Sequence, residues 1–442
     1  EKYNQILNNY LGDYTWNVRY VKFIGDDNEK AEEYKVIINK DGQLNHIQHK
    51  LPENKIGSKL TQEEARVIAI EYLNKKQNIN TSNILDVSVE PISLTNRTDW
   101  KFIFSDKSSN IDLLDGDFRI SVNISGDIVT SFNKFVHIPE DWERDYTNKR
   151  SMDFMFSMMF FVIIILFLYG MVASIGKWSK KQFDFNIYKK IALLQLIAGV
   201  VWLVCSYPHV TSNFSTAKPF INQMIMMYGG GIIFTLFLIF MIPSLYGNVI
   251  ENSQKSTHTF KYYQIILLCV GIAGLSKFAM NVEQLTPYWF QSFESLEFYL
   301  PFIYNVFNNI DSYILSTAIL LFVTHLLNSL TNYATRRQFL YVLFIFILLL
   351  SGFASDYGNF NGIHTLTHLF KITLILTVVY AYMYKKFFVH DISIIFIFNA
   401  IIISSQLLSG AFSQYYPNIM MHNIFSSIVI ISISIYLREY FL

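Results

Sequence analysis

Asp311, Lys371, His364 and His368 are ionisable residues set inside long apolar runs, where a charge is costly to keep without a use. Asp311 and Lys371 could form an ion pair, because each lies roughly 10–20 Å along its apolar segment at a rise of about 1.5 Å per residue. The alternative is that each snorkels to the boundary or sits in a wet cavity. His364, His368 and Lys371 share one helical face, and histidines at i and i+4 can bind a metal. No HExxH glutamate lies between them, however, and Lys371 opposes a cation. The expectation is therefore two interfacial histidines and no metal site. Nucleophile–base pairs, Gly-rich phosphate loops and CxxC motifs are absent from the sequence, so no cofactor is expected. Gly229-Gly230-Gly231 suits close helix approach better than ligand binding.

The elements that must position these residues fall into two halves. The 442 residues are 52% apolar and 17% aromatic, with a mean hydropathy of +0.28, but residues 1–150 read as a soluble domain and the remainder as a series of apolar runs. The net charge of +1 and the lack of an aromatic-interleaved basic cluster give no reason to expect nucleic acid. Cys205 and Cys269 both lie in apolar runs, so a disulfide is not expected. The chain opens on Glu1 without methionine, and an upstream signal or helix is expected if the first half is exported.

In the soluble half, alternation predicts strands over Thr15–Ile24 and Ala31–Ile38, with a hairpin at Asp41-Gly42 and a loop from Leu51 to Leu60. Thr61-Gln62-Glu63-Glu64 is a capping box opening an amphipathic helix over 62–76. Four more strands fit Ile84–Glu90, Asp99–Ser105, Gly116–Ile124 and Asp127–Val136, giving one helix on a small antiparallel sheet, an α+β module. Glu32-Glu33 and Glu63-Glu64 are read as solvated surface without a histidine partner. Val136–Ser151 then joins the halves: Pro139 stops the strand, and a charged segment with Trp142 and Tyr146 suits a membrane boundary.

Nine apolar segments follow, at Phe156–Ile175, Ile191–Tyr207, Ile221–Leu245, Gln264–Met280, Ile310–Leu327, Phe339–Ser355, Ile363–Tyr384, Ile392–Phe412 and Asn423–Leu437. Most reach the ~20 residues that cross a bilayer, and Leu296–Asn309 reads as an interfacial lead-in to the fifth. Lys177, Lys180, Lys181, Lys189 and Lys190, then Lys255 and Lys261, Arg336 and Arg337, Lys385 and Lys386, and finally Arg438 occupy alternate loops, while the intervening loops hold only Lys218 and Lys277. The positive-inside rule then puts the soluble domain outside and the C-terminus in the cytoplasm. The fold class expected is an α+β soluble domain (1–138), a charged and aromatic connector (139–151), and an all-α polytopic bundle of about nine transmembrane helices (152–442).

Several stretches carry a resemblance: Trp16-Asn17-Val18-Arg19-Tyr20, Lys30-Ala31-Glu32-Glu33-Tyr34, His49-Lys50-Leu51-Pro52-Glu53, Glu63-Glu64-Ala65-Arg66, Arg97-Thr98-Asp99-Trp100, and Val136 to Arg144. In order, they resemble the extracytoplasmic PepSY-like domain of some bacterial CPBP proteins, the CAAX-protease and bacteriocin-processing (Abi) intramembrane metalloproteases. The resemblance implies a bacterial inner-membrane protein with a periplasmic N-terminal domain. In that family a Glu-Glu-xxx-Arg motif and two histidine motifs build the intramembrane site. Here the glutamate positions fall near Ser316-Thr317, the arginine near Leu321, the first histidine near Phe353 and the second near Ile395, with Asn399 alone keeping family-like character. No Glu-Glu pair stands anywhere in residues 151–442.

Peptide hydrolysis of that kind needs a carboxylate to take a proton from water, and Ser, Thr, Leu, Phe and Ile cannot supply one. The function expected is a catalytically degenerate pseudoprotease, working in the bilayer as a structural, adaptor or regulatory subunit for membrane-protein partners. Two other readings stay open. One is an active peptidase with an altered site using His364, His368 and Asp356. The other is a transporter or channel built on Asp311 and Lys371.

Overall fold

The computed structural model describes residues 5–6, 10–12, 15–23, 31–39, 41–109, 111, 113, 116–149, 168–249, 263, 265–268, 270–272, 274, 294–331, 373–374, 377–413 and 417–441. They form a β-sheet region followed by a helical region. The chain divides into two compact units, Glu1–Thr147 with Thr211–Met227, and Asn148–Val210 with Tyr228–Leu442.

The first unit holds two antiparallel sheets rather than the single sheet expected. β1 (Thr15–Val21), β2 (Glu33–Asn39) and β3 (Leu44–Lys50) form one; β4 (Ile84–Ser93), β5 (Thr98–Asp106), β6 (Asp117–Ser125) and β7 (Ile128–His137) form the other. Helix α1 (Gln62–Lys75) lies between β3 and β4 in sequence. Both expected hairpins form, because Gly42 and Gly126 take up left-handed backbone with φ of +82° and +62°. Along β6, Phe118, Ile120, Val122 and Ile124 are buried at every second position. Of these, Ile120, Val122 and Ile124 meet Phe102 and Phe104 of β5 and the Ala65, Ala69 and Leu73 stripe of α1, all with no exposed surface. The Thr61–Glu64 capping box closes the start of α1 in both directions.

The loop ahead of α1 is held by side chains from the β4–β5 turn and the start of β5, Arg97 foremost. Arg97, only 2% exposed, donates from Nη1 to the carbonyls of Pro52 at 2.6 Å and Lys55 at 2.9 Å, while its Nε meets Asp99 Oδ1 at 2.8 Å. Trp100 Nε1 donates to the Leu60 carbonyl at 3.2 Å. Contrary to expectation, Glu32 does have a histidine partner, with His49 Nε2 at 2.6 Å and Lys55 Nζ at 2.9 Å from Oε1. Glu33 pairs with Arg19 across β1–β2 and with Lys50 across β2–β3. The register sets these pairs, since Tyr34 faces His49 and Glu33 faces Lys50.

Pro139 ends β7 as expected, but the connector is helical: α2 covers Glu140–Lys149, and the Glu143 amide donates to the Pro139 carbonyl at 3.0 Å. In the helical region follow α3 (Phe185–Cys205), the short α4 (Tyr207–Ser212), α5 (Phe220–Val249), α6 (Pro301–Thr331), α7 (Ile394–Ser413) and α8 (Pro417–Phe441). Among the described residues five helices are long and apolar enough to cross a membrane, within α3, α5, α6, α7 and α8. The other four expected spans fall wholly or partly outside the described residues. The expected lead-in before the fifth span is instead part of it from Pro301 onward, where α6 runs unbroken for 31 residues. Half of the apolar windows of α6 and α7 is buried, against 11% for α5, so α6 and α7 form the inside of this unit.

Basic residues and their partners gather at one end of the helical unit. Lys177 Nζ donates to the Asn248 carbonyl at 2.7 Å, where the last turn of α5 needs a cation. Lys190 donates to the Tyr436 hydroxyl at 2.8 Å and lies 4.3 Å from the Tyr440 ring centroid. The opposite end carries His209 on Glu297 at 2.7 Å, and Tyr207 stacked on Tyr299.

Phe102→Ala should cost about 3–5 kcal/mol and Thr61→Ala about 1 kcal/mol, read as lost hydrogen-exchange protection in β5–β7 and at the start of α1. The Lys55 and His49 contacts lower the Glu32 pKa from 4.5 to about 2, so the stabilisation is present above 4.5 and is lost as pH falls towards 2. Glu32→Gln should therefore weaken protection of β2–β3 at neutral pH by less than ~1 kcal/mol. That difference from the wild type should shrink as pH falls towards 2, where the wild-type carboxyl is half protonated, and vanish below it.

Candidate functional site

Ser316, Thr317, Ile395 and Asn399 meet where α6 packs on α7. The Asn399 amide Nδ2 donates to Ser316 Oγ at 2.7 Å, to Thr317 Oγ1 at 2.8 Å and to the Tyr313 carbonyl at 3.3 Å. Each hydroxyl sends its own proton back along α6: Thr317 Oγ1 donates to the Tyr313 carbonyl at 2.7 Å, and Ser316 Oγ to the Ser312 carbonyl at 2.8 Å. The surrounding phenols are committed too, with Tyr313 donating to the Phe396 carbonyl at 3.2 Å and Tyr246 to the Ile314 carbonyl at 2.9 Å. Ile395 and Leu321 are fully buried among the apolar side chains of this core.

This arrangement is a helix–helix fastening. A serine or threonine becomes a nucleophile when a base accepts its proton. Here main-chain carbonyls accept both protons, and the donor-only Nδ2 group of Asn399 occupies the hydroxyls from the other side. Among the described residues no carboxylate or imidazole is a hydrogen-bond partner of Ser316, Thr317 or Asn399. Among the described residues no three His, Cys, Asp or Glu side chains converge as metal ligands. Phe353, His364, His368, Asp356 and Lys371 lie outside the described residues, as does any contact between Lys371 and Asp311.

Asp311, one turn before this fastening, points to a different neighbour. Gln195 of α3, itself 4% exposed, donates from Nε2 to Asp311 Oδ1 at 2.5 Å. Both residues line a cavity of about 280 Å³ between α3, α5 and α6, with Tyr304, Asn308 and Trp202 among its other walls. Further along α6, Asn305 Nδ2 reaches Asn423 Oδ1 of α8 at 3.1 Å. α6 thus offers separate polar contacts to α3, α7 and α8.

Two groups of consequence escape a reading by residue type. Gln195 sits in an apolar run with no local pattern to mark it. Asp391 and Arg438, 7% and 5% exposed, approach at 3.9 Å between the start of α7 and the end of α8. Asp391 Oδ1 also accepts the Ser393 amide at 3.0 Å, which makes it the N-terminal cap of α7. The Asp391-x-Ser393 spacing was the available local signal. Arg438, counted above as a loop charge, is instead buried within α8.

Asn399→Leu should cost the helical unit about 1–2 kcal/mol, the range for an interhelical polar contact in an apolar bundle, measured by unfolding in mixed SDS micelles. Arg438→Met should cost about 3–5 kcal/mol by stranding the Asp391 carboxylate. Adding Asp391→Asn, which keeps the cap and removes the charge, should recover most of that loss.

Residues 1–134 match a family described as the YcdB, YcdC repeated domain. The match covers the first sheet, α1 and the second sheet as far as residue 134, inside β7, and stops short of the connector. No curated protein and no solved structure matches the chain. The first 134 residues are thus similar to the YcdB, YcdC repeated domain.

Proposed function

We propose that this chain is a non-catalytic membrane protein, a degenerate relative of the CPBP intramembrane peptidases that acts as a structural, adaptor or regulatory subunit for other membrane proteins. The observation that carries the reading is the Asn399 fastening. Polar side chains at the positions where the resemblance puts the catalytic glutamates satisfy one another, and their protons go to main-chain carbonyls. Such a site holds two helices in register, and among the described residues no carboxylate or imidazole bonds to it that could activate water.

The basic end of the helical unit supports an orientation as well. Lys177, Lys190 and Arg438 belong to that end, and the positive-inside rule makes it the cytoplasmic one. The N-terminal unit then stands on the outer face of a bacterial inner membrane. In α5, whose apolar window is 11% buried, a long apolar surface is left for lipid or for a partner helix.

The reading is tested by purifying the full-length chain from its native membrane in mild detergent. Cleavage of bilayer-embedded peptides is then assayed with the same material in liposomes. The expected result is a second membrane protein present in fixed ratio, together with no cleavage above empty liposomes. A chain that always purifies alone, or cleavage that a chelator abolishes, would overturn it.

A further inference from the structure

We propose that the cavity between α3, α5 and α6 binds a small amphiphilic organic cation, with the ammonium on Asp311 and the apolar body against Trp202, Phe234 and Phe307. This goes beyond the proposed adaptor role and rests on a different part of the helical unit.

The size comes first. At about 280 Å³ the cavity falls just below the usual size of ligand sites, which run from roughly 300 to 1,000 Å³, so its occupant is small. Its chemistry is that of such a site, with aromatic walls and a few polar groups converging on one patch. Gln195 is spent on Asp311 Oδ1 and fixes how the carboxylate is presented. Among the described residues Asp311 has no other hydrogen-bond partner and no basic side chain within ion-pair distance, which leaves Oδ2 for an occupant. A carboxylate in an apolar bundle needs a cation or water, and rings around it favour a cation that carries an apolar body. Gly231 sets the wall, since a Cβ there would come within 2.9 Å of Trp202 Cζ3 and displace the indole.

The test is equilibrium binding of radiolabelled phenylbutylammonium to the full-length protein in zwitterionic lipid nanodiscs, with phenylbutanol as the neutral competitor. Saturable binding at one site per chain is expected, with the alcohol competing about tenfold more weakly or worse, as for loss of a buried charge pair. Asp311→Asn, which preserves the shape and can still meet Gln195, should lower affinity by about tenfold or more, and Lys371→Ala should leave it unchanged. The wild-type preference for the ammonium over the alcohol needs no variant to fold. Binding no greater than to empty nanodiscs, equal affinity for the alcohol, or an unaffected Asp311→Asn would overturn the proposal. So would a large gain in affinity with Lys371→Ala, because the carboxylate would then already have an internal cation.

Discussion

A polar side chain inside an apolar helix has to find its partner on a neighbouring helix or on its own main chain, and the helical unit is arranged around that requirement. α6 carries most of the burden. It presents Asp311 to α3, Ser316 and Thr317 to α7, and Asn305 to α8. One amide, that of Asn399, serves three acceptors at once, and this sets the rotation of α7 against α6 at that level. Each such contact is worth little in a bilayer, because polar groups in the unfolded helices also find partners. Their value is in selecting one packing among many that would bury the same leucines and isoleucines.

The same economy governs the N-terminal unit, with a different currency. Its two sheets are stitched by strand pairing, and its core is an ordinary alternation of Phe, Ile and Val beneath α1. The irregular part, the loop from Leu51 to Leu60, has no such repeat to hold it. Arg97 replaces the repeat by donating to two loop carbonyls while Asp99 neutralises it. Other side-chain pairs also hold loops and strand edges: Arg19 with Glu33, Tyr34 with His49, and Arg97 with Asp99 and Pro52.

Where the polar contacts stop, space is left. Gly199 and Gly231 line the α3–α5–α6 cavity and let the two helices come close, since a Cβ at the first would strike Thr235 and at the second Trp202. The helical unit therefore combines a closed region at α6–α7, where the Ser316 and Thr317 hydroxyls are engaged from both sides, with an open one a turn away, where a carboxylate is half spent. Binding belongs to the second kind of region and register to the first.

Local order in this protein was legible from the chain alone. The capping box at Thr61, the hairpins at Gly42 and Gly126, the alternation along β6 and the apolar runs of α3, α5, α6, α7 and α8 are each written within a few neighbouring residues. Such patterns depend on spacings of two and about 3.6 residues, which a sequence displays directly. The division of seven strands into two sheets, and the meetings of Glu32 with His49, Gln195 with Asp311 and Asp391 with Arg438, were decided by the tertiary structure. Ser316 and Asn399 are 83 residues apart, and Gln195 and Asp311 are 116 apart. Whether such residues touch depends on how each helix is rotated about its axis when it packs. A rotation of that kind changes every polar partner while leaving the apolar pattern of the sequence untouched.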